Sequence, residues 1–165
     1  GIDDFIRLAE ELPEITFIWA GGFSFGGMTD GYERYKKIMD NPPKNLIFPG
    51  IVPPERMREL YALADIFLLP SYNELFPMTI LEAASCEAPI MLRDLDLYKV
   101  ILDGNYRATS DVSEMREAIL EYKNHPEKLK DLKEKAREIS KEYSEEHLLE
   151  IWLKFYQEQA ALGKK

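Results

Sequence analysis

The sequence predicts a parallel α/β fold with helices packed on both faces of the sheet. Two observations carry this. Short apolar, β-prone runs alternate with longer segments whose apolar residues recur at helical spacing. One short run, Ile66-Phe67-Leu68-Leu69, is apolar on both of its faces, as a strand covered on both sides would be.

Each element follows from local pattern. Ile2, Phe5, Ile6, Ala9 and Leu12 recur at helical spacing, and Pro13 stops that helix. Thr16 to Ala20 is a β-prone run closed by Gly21-Gly22. The glycine-rich stretch from Phe23 to Gly31 reads as a loop, and Tyr32 to Met39 as a helix ended by Asn41-Pro42-Pro43. Leu46-Ile47-Phe48 is a second strand. Pro53-Pro54 opens a helix through Ala64, with Pro54 in the first turn, where its missing N–H has no intrahelical role. Asp65 to Pro70 holds the doubly apolar strand, Pro77 to Cys86 a helix, and Ile90-Met91-Leu92 the next strand; Tyr106 to Thr109 is a weaker one.

From Val112 onward the pattern is helical only. Pro126 to Ser140 carries Lys and Glu at mutual spacings of three and four, which predicts a solvated surface helix. Tyr143 to Gln159 forms an amphipathic helix with Leu148, Leu149, Ile151, Trp152, Phe155 and Tyr156. No repeat, low-complexity tract or second domain is visible, so residues 1–165 are read as a single domain.

The chain has 165 residues, enough for one sizeable core, and its 45% hydrophobic and 31% charged content is ordinary for a globular domain. No apolar run approaches the roughly 20 residues of a membrane-spanning helix, and no signal pattern opens the chain. It starts helix-like on Gly1-Ile2-Asp3, without Met or a leading strand, and we expect a fragment of something larger. A formal net charge of −9 argues against general nucleic-acid binding and against attachment of this surface to an anionic membrane. A phosphate-bearing ligand remains compatible, through local amide dipoles. One cysteine, Cys86, excludes an internal disulfide and a cysteine-based zinc site, and points to a reducing cytoplasm.

The chemistry concentrates in Pro70-Ser71-Tyr72-Asn73-Glu74-Leu75-Phe76-Pro77-Met78-Thr79-Ile80-Leu81-Glu82-Ala83. In open parallel sheets ligands bind at the carboxyl ends of strands, and this segment leaves one such end and opens a helix. The helix start presents free amides, those of Met78 and Thr79 among them, to which a diphosphate is attracted. Glu74 in the loop and Glu82 in the helix are eight residues apart. A carboxylate accepts two hydroxyl hydrogen bonds at once, so both suit sugar or ribose recognition. Taken singly, Glu74 is explained by the helix dipole and Glu82 as an exposed helix residue; their order and place together favour a ligand.

Other residues carry less. His125 and His147 have no partner at metal-ligand spacing, and Cys86 reads as a small packed hydrophobe. Asp3-Asp4 and Asp94/Asp96 are ordinary helix-start and loop acids, and nothing in the sequence places Lys99 or Arg107 near a phosphate.

Pro-Ser, then Glu, then seven residues, then Glu-Ala, with a proline beyond the helix, resembles the retaining family-4 glycosyltransferases of GT-B architecture. The resemblance covers nearly the whole chain. Trp19-Ala20-Gly21-Gly22, Leu46-Ile47-Phe48-Pro49-Gly50, Leu60 to Asp65 and Leu69-Pro70-Ser71 occur in the family's order. It implies the C-terminal, Rossmann-like, donor-binding half of a two-domain enzyme. Glu74, the catalytic candidate, would contact hydroxyls of the transferred sugar, and Glu82 the ribose. Amides around Leu75, Phe76, Met78 and Thr79 would face sugar and diphosphate. Gly21 and Gly22 would lie near the nucleotide, and Gly50, Ile51 and Val52 against the base. The donor substrate would be a UDP-sugar, with no metal or other cofactor. The closing helix would cross back towards the N-terminal domain, which would hold the acceptor. The family's diphosphate-neutralising Arg and Lys would precede Gly1, so this chain alone is expected to be inactive.

Three positions depart from the family. Leu75 and Pro77 replace glycines; Pro77 supplies no amide donor and Leu75 adds bulk near the sugar, which would narrow donor choice. Glu87 replaces the glycine that ends the helix, for which we expect a local change in the cap. Leu92-Arg93-Asp94-Leu95-Asp96-Leu97-Tyr98, in place of a glycine-containing loop, is similar to the diacylglycerol glucosyl- and galactosyltransferases of Gram-positive bacteria. That narrower likeness implies UDP-glucose or UDP-galactose as donor and a membrane glycolipid acceptor, with peripheral contact at the cytoplasmic membrane face through the absent half. The competing readings are a transferase for capsule polysaccharide or a soluble acceptor, and a non-catalytic α/β scaffold or interaction domain. A phosphate-receiver domain would need acids after its first strand, where Ala20-Gly21-Gly22 stands.

Overall fold

The computed structural model describes residues 1–23 and 25–162. Ser24, within the predicted glycine-rich loop, and residues 163–165 lie outside the described residues.

The order is α1 (Ile2–Glu11), β1 (Phe17–Ala20), α2 (Tyr32–Asp40), β2 (Leu46–Gly50), α3 (Pro54–Leu63), β3 (Phe67–Leu69), α4 (Met78–Ser85), β4 (Ile90–Arg93), α5 (Asp96–Leu102), β5 (Arg107–Thr109), α6 (Val112–Asn124), α7 (Leu129–Glu142) and α8 (Glu145–Leu162). Short 3₁₀ turns at Gly26–Met28 and Pro126–Lys128 precede α2 and α7. Every strand pairing is parallel. Among the described residues the strands form two ladders, β1-β2 and β3-β4-β5. Phe17 stands opposite Leu46 in the first, and Leu69 and Ala108 flank Leu92 in the second.

Side chains of β4 alternate between two cores, as the strand period of two requires. Met91 joins Leu8, Leu12, Phe17, Leu46 and Met115 on one side; Ile90 and Leu92 join Ile80, Tyr98, Leu102 and Ile139 on the other. Helices therefore cover both faces. Phe5 meets Phe17 and Trp19 edge-on, at centroid distances of 5.4 and 5.1 Å, and clamps α1 to β1. Asn45 adds a polar pin: its Nδ2 donates to the Ala9, Leu12 and Ile15 carbonyls at 2.8, 3.0 and 2.8 Å. It thereby satisfies carbonyls at the C-terminal end of α1.

Four expectations need correction. β3 was expected to be enclosed on both sides, but its three residues are only half-buried. It is the edge of its ladder, and β4, at the centre, is the fully buried strand. The segment read as a loop after Leu92 contains α5, whose Tyr98 and Leu102, one turn apart, form its buried side. α7 is not merely a solvated face, because Leu132, Ala136 and Ile139 are buried. The cap at Glu87 is unchanged in form: the Ala88 amide donates to Ala83 O and the Glu87 amide to Ala84 O, at 3.1 and 2.9 Å. This is a Schellman cap with Glu87 at φ 57°, the conformation glycine adopts there. Its carboxylate is held by Arg137 of α7 at 2.7 Å.

Candidate functional site

The carboxyl ends of β1 and β2 meet. The Gly21 amide donates to Gly50 O at 2.9 Å. A Cβ on Gly22 would lie 3.0 Å from the Ile51 side chain, so this close approach suits glycine. Gly50 turns at φ 77°, which glycine adopts without strain. Ile51, 68% exposed, projects outward, and Val52 follows half-buried before α3.

The second group lies on the path from β3 into α4. Glu74 is half-buried, and Leu75, Phe76, Met78 and Thr79 are exposed. Pro77, at the N-cap of α4, provides no side-chain cap, so the first-turn amides, including those of Met78 and Thr79, keep their capacity to bind an anion. Glu82 is exposed on the same helix, yet not loose. The Tyr61 hydroxyl, on a buried ring of α3, donates to Glu82 Oε2 at 2.8 Å. Burial, then this bond to the Glu82 carboxylate, raise the Tyr61 pKa. The other oxygen of Glu82 is left for a further donor.

The Tyr98 hydroxyl is buried and has no hydrogen-bond partner among the described residues. Its pKa is raised by burial first and next by the Glu74 negative charge. Phe76 packs edge-on against Tyr143, 5.7 Å between centroids, and the Tyr143 hydroxyl donates to Ile101 O at 2.6 Å.

The predicted residues therefore fall into two groups, Gly21, Gly22, Gly50 and Ile51 in one and Glu74 to Glu82 in the other. Among the described residues no hydrogen bond or ion pair joins them. A cavity of about 320 Å³ lies between α5 and α7, lined by Leu102, Asp103, Glu138 and Glu142 among others, and includes none of the predicted residues. Lys99 is engaged by Asp94 and Asp96 at 3.1 and 3.2 Å. No cluster of three or more His, Cys, Asp or Glu among the described residues is placed to hold a metal. His125 and His147 lie beside Glu127 and Glu142, at 3.3 and 3.6 Å.

Sequence reasoning missed Tyr61, Tyr98 and Arg93. Tyr61 and Tyr98 look like core aromatics, and only their polar tips distinguish them. Arg93 carried a signal, a lone basic residue ending an apolar strand, but nothing local named its partners.

Residues 1–139 match the family model described as Glycosyl transferases group 1. The chain is 85% identical over its whole length to the alpha-galactosylglucosyldiacylglycerol synthase of Streptococcus pneumoniae, and spans 44% of that protein. It is 37% identical over 98 residues to the processive diacylglycerol alpha-glucosyltransferase of Acholeplasma laidlawii, covering 59% of this chain and 29% of that one. Among solved structures, Anabaena HepE in complex with UDP and glucose is similar with a TM-score of 0.77 at 18% identity, over 98% of this chain and 45% of that one. Sucrose-phosphate synthase from Thermosynechococcus elongatus is similar with a TM-score of 0.77 at 19% identity, over 98% and 43%. The likeness to these two shows a shared fold.

Proposed function

The chain belongs to the group 1 glycosyl transferases, and from that premise we propose that it is the nucleotide-sugar-binding half of a retaining hexosyltransferase acting on a membrane glycolipid. The observation that carries this is the segment from Pro70 to Ser85. It joins a strand end, an uncapped helix start and two carboxylates, one of them held in place by Tyr61. The glycolipid acceptor is supported by the 85% identity to the pneumococcal synthase and by the second diacylglycerol transferase.

In this reading UDP-glucose or UDP-galactose lies across the carboxyl ends of the strands. Glu82 accepts from the ribose hydroxyls, and the turns at Gly21-Gly22 and Gly50-Ile51-Val52 flank the nucleoside. Glu74 accepts from hydroxyls of the hexose, and the amides of Met78 and Thr79 face the diphosphate. As the anomeric bond breaks, negative charge grows on the diphosphate and positive charge on the sugar. The start of α4 stabilises the first and the Glu74 carboxylate the second. No metal is assigned a role; an Arg and a Lys that precede Gly1 complete the diphosphate site.

The chain spans less than half the length of the relatives it matches, and the rest of the cleft falls to an N-terminal domain. α8 supports such a partner: none of its described residues is buried, and Trp152, Phe155 and Tyr156 cluster on it at 5.8 Å between centroids. No helix among the described residues is long and apolar enough to cross a membrane, and contact with lipid at the cytoplasmic face belongs to the other half. The isolated chain does not turn over.

The test is transfer by the full-length protein from labelled UDP-glucose and UDP-galactose to diacylglycerol and monoglucosyldiacylglycerol in mixed micelles. Labelled glycolipid with an α linkage is the expected result. Absence of transfer to either lipid, with hexose instead appearing on a soluble acceptor, overturns the acceptor assignment.

A further inference from the structure

Arg93 ends β4 at 7% exposure, a charged side chain inside the molecule. Its guanidinium has a partner in each direction. Nε donates to Pro70 O and Nη1 to Ser110 O, both at 3.1 Å, and Nη2 pairs with the Asp4 carboxylate. The Tyr72 ring lies over the guanidinium, 4.0 Å from carbon to centroid, and the Tyr72 hydroxyl donates to Asp4 at 2.6 Å. One planar group thus ties the residue after β3, the residue after β5 and the first turn of α1. From the other side Gly1 packs on Pro70 so closely that a Cβ there would lie 2.4 Å from Pro70 O.

A buried ion pair is seldom more stabilising than apolar residues of the same volume, so its advantage here is geometric. Arginine offers rigid, divergent donors that lysine lacks. Two of its contacts, Pro70 and Tyr72, lie in the loop that carries Glu74, and Tyr72 is two residues before that carboxylate. Glu82 is fixed separately, by Tyr61.

We propose that Arg93 is a positioning residue for the donor sugar: it holds the Pro70–Tyr72 strand exit so that Glu74 meets the hexose, while nucleotide binding does not depend on it. This rests on the donor-site reading above. The geometry separates the two halves of the donor, since the contacts of Arg93 reach the sugar loop and none reaches Glu82 or Tyr61.

The experiment is titration of the full-length protein with UDP, UDP-glucose and UDP-galactose, comparing wild type with Arg93→Met, Arg93→Lys and Glu74→Ala. For Arg93→Met the affinity for the preferred UDP-hexose is expected to fall about tenfold while that for UDP changes by less than about twofold. Arg93→Lys keeps the charge beside Asp4 but cannot bridge both carbonyls, and the same ratio is expected to fall in it. If Arg93→Met does not fold, the lysine variant decides. Equal losses for UDP and UDP-hexose, or no loss for either, overturn the proposal. Glu74→Ala separates the two failures: an unchanged ratio there refutes the sugar role of Glu74, whereas a fall there without one in the Arg93 variants refutes only the role of Arg93.

Discussion

The Tyr61 hydroxyl donates to Glu82 at 2.8 Å from a ring only 5% exposed, so a buried residue of α3 aims a carboxylate of α4 that faces solvent. If Glu82 receives the ribose, loss of that bond loosens its aim without removing it. Tyr61→Phe in the full-length protein should weaken UDP binding by about three- to tenfold, a net hydrogen bond. Glu82→Ala should weaken it further. Titration calorimetry checks both, and the order of the two effects is the informative result.

Leu75 is 91% exposed in the loop that carries Glu74, where the family usually has glycine. Bulk there discriminates between hexoses that differ at one hydroxyl. Leu75→Gly should bring the kcat/KM values for UDP-glucose and UDP-galactose closer together by at least about threefold, within the range one steric contact supplies. Competition between the two donors in one assay measures it.

Much of this was legible in local sequence, and the rest depended on distance along the chain. β1, β2 and β4, the helices beside them and the Glu74–Glu82 segment follow from periodicity and turn residues, which act over a few positions. α5 was hidden because Asp94-Leu95-Asp96-Leu97 alternates like an extended segment; its helical side appears only when Tyr98 and Leu102 are seen to be buried together. The apolar run of β3 matches a strand covered on both faces, and composition does not report that it stands at the edge of its ladder, half-buried. Arg93 and Tyr61 were beyond reach for a different reason. Their partners lie 17, 23 and 89 residues from Arg93 and 21 from Tyr61, so only the folded chain reveals what they hold.

Asn45 was also silent in sequence, yet it joins β2 to α1 through three carbonyls at 2.8–3.0 Å. Asn45→Ala removes the side-chain donor from the Ala9 and Ile15 carbonyls, while Leu12 O keeps the Ile15 amide, and should cost about 2 kcal/mol of stability. Denaturant unfolding of this chain measures that cost, and UDP affinity of the full-length protein should remain unchanged.

Glu87 contributes a pH dependence of known sign. Its hydrogen bond from Arg137, and then the charge of that residue, lower its pKa. A carboxyl with a lowered folded-state pKa stabilises above its unfolded pKa and loses this as pH falls through the folded value. Glu87→Gly keeps the left-handed cap but not the ion pair. Its melting temperature relative to wild type should therefore rise between about pH 7 and about pH 3. A difference that is flat across this window would show that the pair contributes nothing.

Trp152 is 54% exposed on α8 and stacked on Tyr156. If the N-terminal domain covers this helix, acrylamide should quench Trp152 freely in the isolated chain and several-fold less in the full-length protein. Trp19 is a second tryptophan in this chain, and subtracting the signal of the matching Trp152→Phe variant of each protein isolates Trp152. Equal quenching in both proteins would place the partner surface elsewhere.

The most direct measurement is ligand-observed NMR of UDP-glucose and UDP-galactose with the full-length protein, wild type against Glu82→Ala. The account predicts saturation transfer strongest at the ribose protons of a bound donor, and loss of that contact in the variant. Equal transfer to both proteins, or no nucleotide binding by the wild type, would contradict it.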